Sequence, residues 1–456
     1  MEDQEQGFME KASHWVKTSI MLKMLTIGFL ILILLIPENM VESMIQERSQ
    51  ARNGAVHEVS SKWGSSQQLS GPILTIPFVI RNSDGSITEQ SQKLAHFLPS
   101  QVTTTGKVNP QEKHRGIYDI ILYDADLNVK GSFDEIDLAA LNLKESDMIW
   151  EEAEIALGVS DMRGITDIIK VNWDGNPITM NPGTENAQMI RSGVHAKVDL
   201  SLPKTEMEDE EDVDATPIKR KSIAFDYKIQ VNGSGNLSFT PIGKQTTVNL
   251  ESAWHSPKFD GSFLPQTQEV TDEGFSSTWK VINLNRNYPQ QWKDKSYSIE
   301  NTDFGVDLIL PIDEYQKSLR SAKYASLIVL LTFLAFFFVE IANNIRIHPL
   351  QYVLVGSALV LFYTLLLSFS EHFGFNVAYI VSTLMIAGLI GMYARFIFKD
   401  QAKAALMTLG LGGIYSFMYF VLNSEDYALL MGSIGLFIIL SIVMYTTRNI
   451  QFYKSE

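Results

Sequence analysis

The chain has 456 residues, 45% of them hydrophobic, and carries a formal net charge of −15. That acidic balance argues against nucleic-acid binding, which needs a basic surface to neutralise phosphates. The absence of cysteine excludes disulfides, thiolate zinc sites and cysteine nucleophiles.

The hydrophobic share averages two unlike parts, because residues up to about Leu35 and from about Tyr324 onward are strongly apolar while the long middle is polar. Residues 1–23 read as a cytoplasmic tail, with Lys11, Lys17 and Lys23 beside the first apolar run. Residues 20–36 form that run. The following Pro37-Glu38-Asn39-Met40 offers no small-residue cleavage site, so the reading is an uncleaved signal anchor and first transmembrane helix. Val41, Met44 and Ile45 keep helical spacing, which predicts that the helix continues out of the membrane to about Arg52.

Residues 38–323 are expected to form a periplasmic, mainly antiparallel β domain, long enough to be stable on its core alone. Ile73–Ile80 is an apolar run whose Pro77 predicts a sheet edge or a bulge. Gly116–Tyr123 is a second such run, while Ile223 to Val231 and Phe304 to Leu310 alternate with period two. Asn232-Gly-Ser-Gly-Asn236 has the composition of a hairpin turn. A short helix is expected around Asp134–Leu143. The acidic run Glu206–Asp214 lacks the glycine turn and ligand spacing of a calcium loop, so it reads as a solvated loop.

Pro311 ends the last strand and Asp313 can cap a new helix. Tyr315, Leu319, Ala322 and Tyr324 keep helical spacing into the next apolar run, which predicts one unbroken helix entering the membrane. A five-helix bundle is expected over 324–446, with spans at 326–341, 350–369, 375–393, 404–422 and 428–446, then a cytoplasmic tail at 447–456. Arg346, Arg395, Lys399, Lys403, Arg448 and Lys454 all fall on one side of these spans. The positive-inside rule then predicts six transmembrane helices with both termini cytoplasmic.

Glu340 lies near the inner end of its span, and an ionisable group in a membrane segment is a functional candidate. The competing account is an interfacial salt bridge or hydrogen bond with Asn343, Asn344, Arg346 or His348. Glu371, His372, Glu425 and Asp426 occupy the two outer loops, and three carboxylates with an imidazole suit a divalent cation. Equally, acidic loops are ordinary on the side where lysine and arginine are disfavoured. A proton path through the bundle would need polar residues midway, where Tyr363 and Thr364 are the best and poor candidates. Gly388/Gly391, Gly410/Gly413 and Gly432/Gly435 place paired small residues on three spans, a spacing that lets helices approach closely.

Ser201/Lys204 and Ser277/Lys280 have the spacing of penicillin-binding enzymes, but that motif starts a helix and neither setting does. No hydrolase, phosphate-loop or dinucleotide fingerprint is present. No catalytic residue, cofactor or metal ligand is assigned, and a non-enzymatic role is expected.

HPLQYVLVGSALVLFYTLLLSFSEHFGFNVAY at 348–379, NSEDYALLMGS at 423–433 and TRNI at 447–450 resemble the CreD family of bacterial inner-membrane, cell envelope integrity proteins. In the middle domain, His114-Arg115-Gly116-Ile117-Tyr118, Asp161-Met-Arg-Gly-Ile165, Trp254-His255-Ser-Pro-Lys-Phe259 and Phe263-Leu-Pro265 are similar in type and order. The likeness covers nearly the whole chain, with the acidic run at Glu206–Asp214 as a departure. It implies an inner-membrane location and a role in envelope maintenance or envelope stress, and it brings no catalytic residue, cofactor or substrate. The expected partners are membrane lipid and an envelope protein or cell-wall component held by the periplasmic domain. The alternative is a transporter or channel-like bundle with that domain as receptor.

Overall fold

The computed structural model describes residues 20–80, 92–184, 189–201, 222–308, 314–343, 345–424 and 427–448. The acidic run at 206–214, Asp313, Asn344, Glu425, Asp426 and most of both tails lie outside the described residues. Two compact units are present: Met1–Asn53 with Ile312–Glu456, and Gly54–Pro311. Helix α1, Ile20–Trp63, belongs to both. The β unit therefore begins past the expected boundary at 38, because Val41 and Ile45 on α1 are buried within the helical unit.

The β unit contains seventeen described strands. In chain order they are β1 (Gln67–Val79), β2 (Gln92–Phe97), β3 (Gln101–Arg115), β4 (Tyr118–Phe133), β5 (Ala153–Val159), β6 (Lys170–Trp173), β7 (Asn176–Thr179), β8 (Asn181–Pro182) and β9 (Gly193–Val198). There follow β10 (Ile223–Ser234), β11 (Asn236–Phe239), β12 (Gln245–Ser252), β13 (Pro257–Gly261), β14 (Thr267–Thr271), β15 (Gly274–Ile282), β16 (Gln291–Lys293) and β17 (Phe304–Leu308). One sheet runs β13-β17-β11-β1-β5-β9-β8, with β2 and β16 attached beside β1. The other runs β14-β15-β12-β3-β4-β10-β6-β7. Pairing is antiparallel except for β1 with β11 and β3 with β12. The two sheets share one core, where Trp279 of β15 meets Phe304 of β17 at 5.8 Å between ring centroids.

Pro77 lies in a central strand and is accommodated for a local reason. It falls beyond the last ladder pair of β1 with β5, Thr75 with Glu154, and on the backbone its carbonyl accepts from Ile149 N–H at 2.9 Å, a bond that needs no N–H from the proline. The register shift of β1 lies at Ser70–Ile73 and Pro77 pairs regularly with Leu94, so the expectation of a sheet edge or bulge at Pro77 is corrected. The expected hairpin at 232–236 is corrected: β10 pairs with β4 in one sheet, while β11 pairs with β1 and β17 in the other. Gly235, at φ +71°, turns the chain from sheet to sheet. The helix expected at Asp134–Leu143 is a single 3-10 turn, Ala139–Leu141.

The helical unit contains α1, α2 (Glu314–Lys323), α3 (Ala325–Asn343), α4 (Pro349–Phe373), α5 (Phe375–Phe398), α6 (Gln401–Asn423) and α7 (Ala428–Thr447). Four of them, α1, α4, α5 and α6, are long and apolar enough to cross a membrane, and the α2–α3 pair makes up to five. The apolar part of α7, Leu429–Tyr445, is shorter. The unbroken helix expected through Tyr324 is corrected, since α2 and α3 are bent by 43°. Tyr324 N–H donates to Ser321 O at 3.1 Å, a bond three residues back that tightens this turn and redirects the axis.

Of the paired glycines, Gly391 abuts Thr408 of α6 and Gly435 abuts Phe417 of α6, where a Cβ would sit at 2.1 and 2.4 Å from the neighbour. Gly388, Gly410, Gly413 and Gly432 face open space, so the close-packing expectation holds for one member of two pairs.

Candidate functional site

The polar chemistry of the helical unit is held at two ends of one helix. Near the start of α1, Lys23 Nζ donates to Glu340 Oε1 of α3. Tyr352 Oη of α4 donates to Glu340 Oε2 at 3.1 Å, and Ile347 N–H donates to Glu340 Oε1 at 2.8 Å. Glu340 is only 2% exposed, and the rings of Phe333 and Phe336 stand beside Tyr352. A carboxylate withdrawn from water is stable only when its lone pairs are taken up, and here a cation, a hydroxyl and a backbone amide do so. The result is a staple joining α1, α3 and α4. The expected partners Asn343, Arg346 and His348 do not supply these bonds; the side chain of Asn343 donates to Val339 O instead.

His348 caps α4. Its Nδ1 accepts from Leu350 N–H at 3.2 Å, and its own N–H donates to Gln351 Oε1 at 2.9 Å. Pro349 at the first helical position has no N–H to satisfy, which suits that start.

At the far end of α4, Glu371 accepts from Tyr315 Oη of α2 at 3.0 Å and lies 3.5 Å from Arg48 Nε of α1. His372 turns away, its Nδ1 against Ser368 O at 3.1 Å. The structure therefore does not bring Glu371 and His372 together as ligands, and the described residues contain no cluster of three or more metal-ligating side chains.

Lys23 and Arg48 mark two levels on one helix, and the 25 residues between them span roughly 37 Å at 1.5 Å per residue. That exceeds a hydrocarbon core of about 30 Å. Within this stretch Leu30, Leu34, Val41 and Ile45 form the buried face of α1. Glu38, half-buried, lies one turn after Leu34 on the same face, so the helix carries a carboxylate on its packed side. Sequence reasoning missed it by ending the span at Ile36; extending the helical spacing of the leucines by one step finds it.

In the β unit, Asp161 and Arg163 secure the end of α1. Asp161 Oδ2 accepts from Ser65 N–H at 2.9 Å, and both its carboxylate oxygens accept from the Arg163 guanidinium at 2.8 Å. Arg163 Nη1 in turn donates to Ser61 O in the last turn of α1, at 2.5 Å, where a cation suits the exposed carbonyls of a helix end. The side-chain bond from Arg163 holds the Asp161 carboxyl well below the usual carboxylate range. Gln67 completes the knot, donating from Nε2 to Asp161 O and Asn232 O and accepting from Asp161 N–H.

The same unit presents a polar groove of about 720 Å³ across the outward face of β3, β4 and β10. Register aligns its side chains in rows: Thr103 beside Lys130 beside Asp226, and Thr105 beside Asn128 beside Lys228. By contrast, the aromatic residues Trp254 and Phe259 turn inward, Trp254 buried and Phe259 packed edge-on against Phe275 and Trp279. Ser277 is buried on β15, in a strand rather than at a helix start.

The family model described as Inner membrane protein CreD matches residues 19–453. The Inner membrane protein CreD of Escherichia coli (strain K12) is 32% identical over 445 residues, covering 96% of this chain and 95% of that protein. Together with several helices long and apolar enough to cross a bilayer, these likenesses make the chain a multi-pass inner membrane protein. It belongs to the CreD family.

Proposed function

We propose that this protein supports cell envelope integrity or the envelope-stress response without catalysis, through its β unit held in the periplasm. In this reading α1, the bent α2–α3 pair and α4 to α7 make six spans, with both termini cytoplasmic. The placement of Arg346, Arg395, Lys399, Lys403 and Arg448 supports that orientation. The groove on β3, β4 and β10 carries the functional reading: its hydroxyls, amides and mixed charges are suited to an extended polar partner, such as a wall fragment or a strand of an envelope protein.

The test is photo-crosslinking in cells with the full-length protein, labelled at Thr105 or Lys228 in the groove and at Glu273 as a control. Recovery of an identified wall fragment or envelope protein from the groove positions alone supports the reading. Equal capture at Glu273 overturns it.

A second reading, a transporter or channel-like bundle with the β unit as receptor, is favoured by one observation. Glu38 lies half-buried on the face of α1 that buries Leu34 and Val41.

A further inference from the structure

Glu38 does not stand alone. Leu34, one turn earlier, packs on Gly356 of α4, where an added Cβ would fall 2.2 Å from Leu34 Cδ1. The two helices run in the same direction, with Lys23 and Tyr352 at one staple and Arg48 and Glu371 at the other. Tyr363 lies seven residues beyond Gly356 on the same side of α4, so it follows the contact toward Glu38. The Glu38 carboxylate and the Tyr379 and Tyr415 hydroxyls all act electrostatically on Tyr363.

The hydroxyls of Tyr363 and Tyr415 are 2% and 0% exposed as residues, and neither has a hydrogen-bond partner among the described residues. Phe362 ties the rings together, with centroids 4.9 Å from Tyr363, 5.4 Å from Tyr379 and 4.4 Å from Tyr415. Tyr379 is already engaged, donating to Tyr415 O at 2.9 Å. Hydroxyls in an apolar interior are costly without partners, and a carboxyl group nearby is the complementary chemistry.

We propose that Glu38 and the Tyr363 hydroxyl form a proton-binding site inside the helical unit, with Tyr415 lining it. The only bond made or broken is the O–H bond of the carboxyl, its proton exchanged with water. Tyr363 keeps its own proton throughout; its hydroxyl, unpartnered among the described residues, can donate to the carboxylate or accept from the carboxylic acid, so one hydroxyl can serve both states.

The surroundings favour a proton over a fixed ion pair. The titratable groups clustered with Tyr363 on α4 are Tyr379 on α5 and Tyr415 on α6, while α3 has none from Ala325 to Val339. On α1 itself Glu42 follows by one turn, and Arg48, Arg52 and Lys23 stand roughly 15, 21 and 22 Å away along the helix. The charged groups of α2 are Glu314, Lys317, Arg320 and Lys323; Lys317 is engaged at the end of α6, 3.1 Å from Asn423. Of these cations on α1, Lys23 and Arg48 are committed to Glu340 and Glu371.

The experiment is pH-difference infrared spectroscopy on the full-length protein in lipid nanodiscs. A protonated-carboxyl band is expected that is lost in Glu38→Gln and retained at a shifted frequency in Glu38→Asp. Its titration midpoint should move by about one pH unit in Tyr363→Phe, since a hydrogen bond that distinguishes the charged from the neutral form is removed. Monodisperse elution of each variant controls for folding. Absence of a Glu38-dependent band, or a midpoint at the ordinary carboxyl value unmoved by Tyr363→Phe, overturns the proposal. A band that follows sodium or potassium concentration at constant pH also overturns it, in favour of a metal-cation site.

Discussion

Lys23 on α1 and Glu340 on α3 are joined by a salt bridge across 317 residues of sequence. Between them in the chain lies the whole β unit, so this bond closes the helical unit around an insertion. Breaking a buried pair by removing one partner leaves an uncompensated charge, which typically costs about 3–5 kcal/mol. Lys23 is 37% exposed, which puts its own removal at the low end or below. Glu340→Leu should therefore lower the thermal midpoint in detergent more than Lys23→Met does. A double-mutant cycle with Lys23→Met and Glu340→Gln should give a coupling of about 1–3 kcal/mol. A coupling near zero would show that Tyr352 and Ile347 N–H alone hold the carboxylate.

His96 is 2% exposed, with Thr75 Oγ1 at 3.0 Å from Nδ1 and Trp292 beside it. Burial pushes its imidazole down to about 4 from an ordinary 6.5. Between those values the unfolded chain binds the proton that the folded chain refuses. Stability is therefore full above about pH 6.5 and falls as pH drops toward 4, by roughly 3 kcal/mol in all. Urea unfolding followed by tryptophan fluorescence should show this slope, and His96→Gln should flatten it.

Asp161 acts at lower pH with the same sign. Its folded carboxyl is held down mainly by Arg163, so its contribution is present above about pH 4 and is lost as pH falls toward the folded value. Asp161→Asn forfeits the guanidinium pair and weakens the bond to Ser65 N–H. Losing charged hydrogen bonds of this kind costs about 1.5–3 kcal/mol. Amide exchange at Ser61–Ser65 should accelerate in this variant, while exchange in β12 and β15 stays unchanged.

Gly233 faces the ring of Tyr123, where an added Cβ would lie 2.3 Å from Cζ. Tyr123 is fully buried and its hydroxyl donates to Asn236 O at 2.6 Å, so the ring has little freedom to withdraw. Gly233→Ala should destabilise the protein by about 1–3 kcal/mol, the usual cost of overpacking. Gly175→Ala provides the control for a position without a neighbour: its Cβ meets nothing within 4 Å, although φ +86° adds backbone strain. A smaller loss at Gly233 than at Gly175 would show that the Tyr123 ring moves.

Composition, charge placement and periodicity determined that this is a chain of apolar helices carrying a large β-rich insertion, because each of those signals is local. An apolar run long enough for a bilayer needs no partner to be recognised, and alternation with period two marks a strand in isolation. Glu340 was legible as an exception to its own surroundings, but its partners were not, since Lys23 comes from the far side of the insertion. Glu371 and His372 read as neighbours by sequence, and helix geometry sends one to Tyr315 and Arg48 and the other back to Ser368. Likewise, the glycines of 232–236 read as a turn, and only strand pairing decided that it joins two sheets. Glu38 falls just beyond an apolar run when counted along the chain. The distance from Lys23 to Arg48 and the buried face shared with Leu34, Val41 and Ile45 place it within the helical unit, because depth is set by which helices pack together.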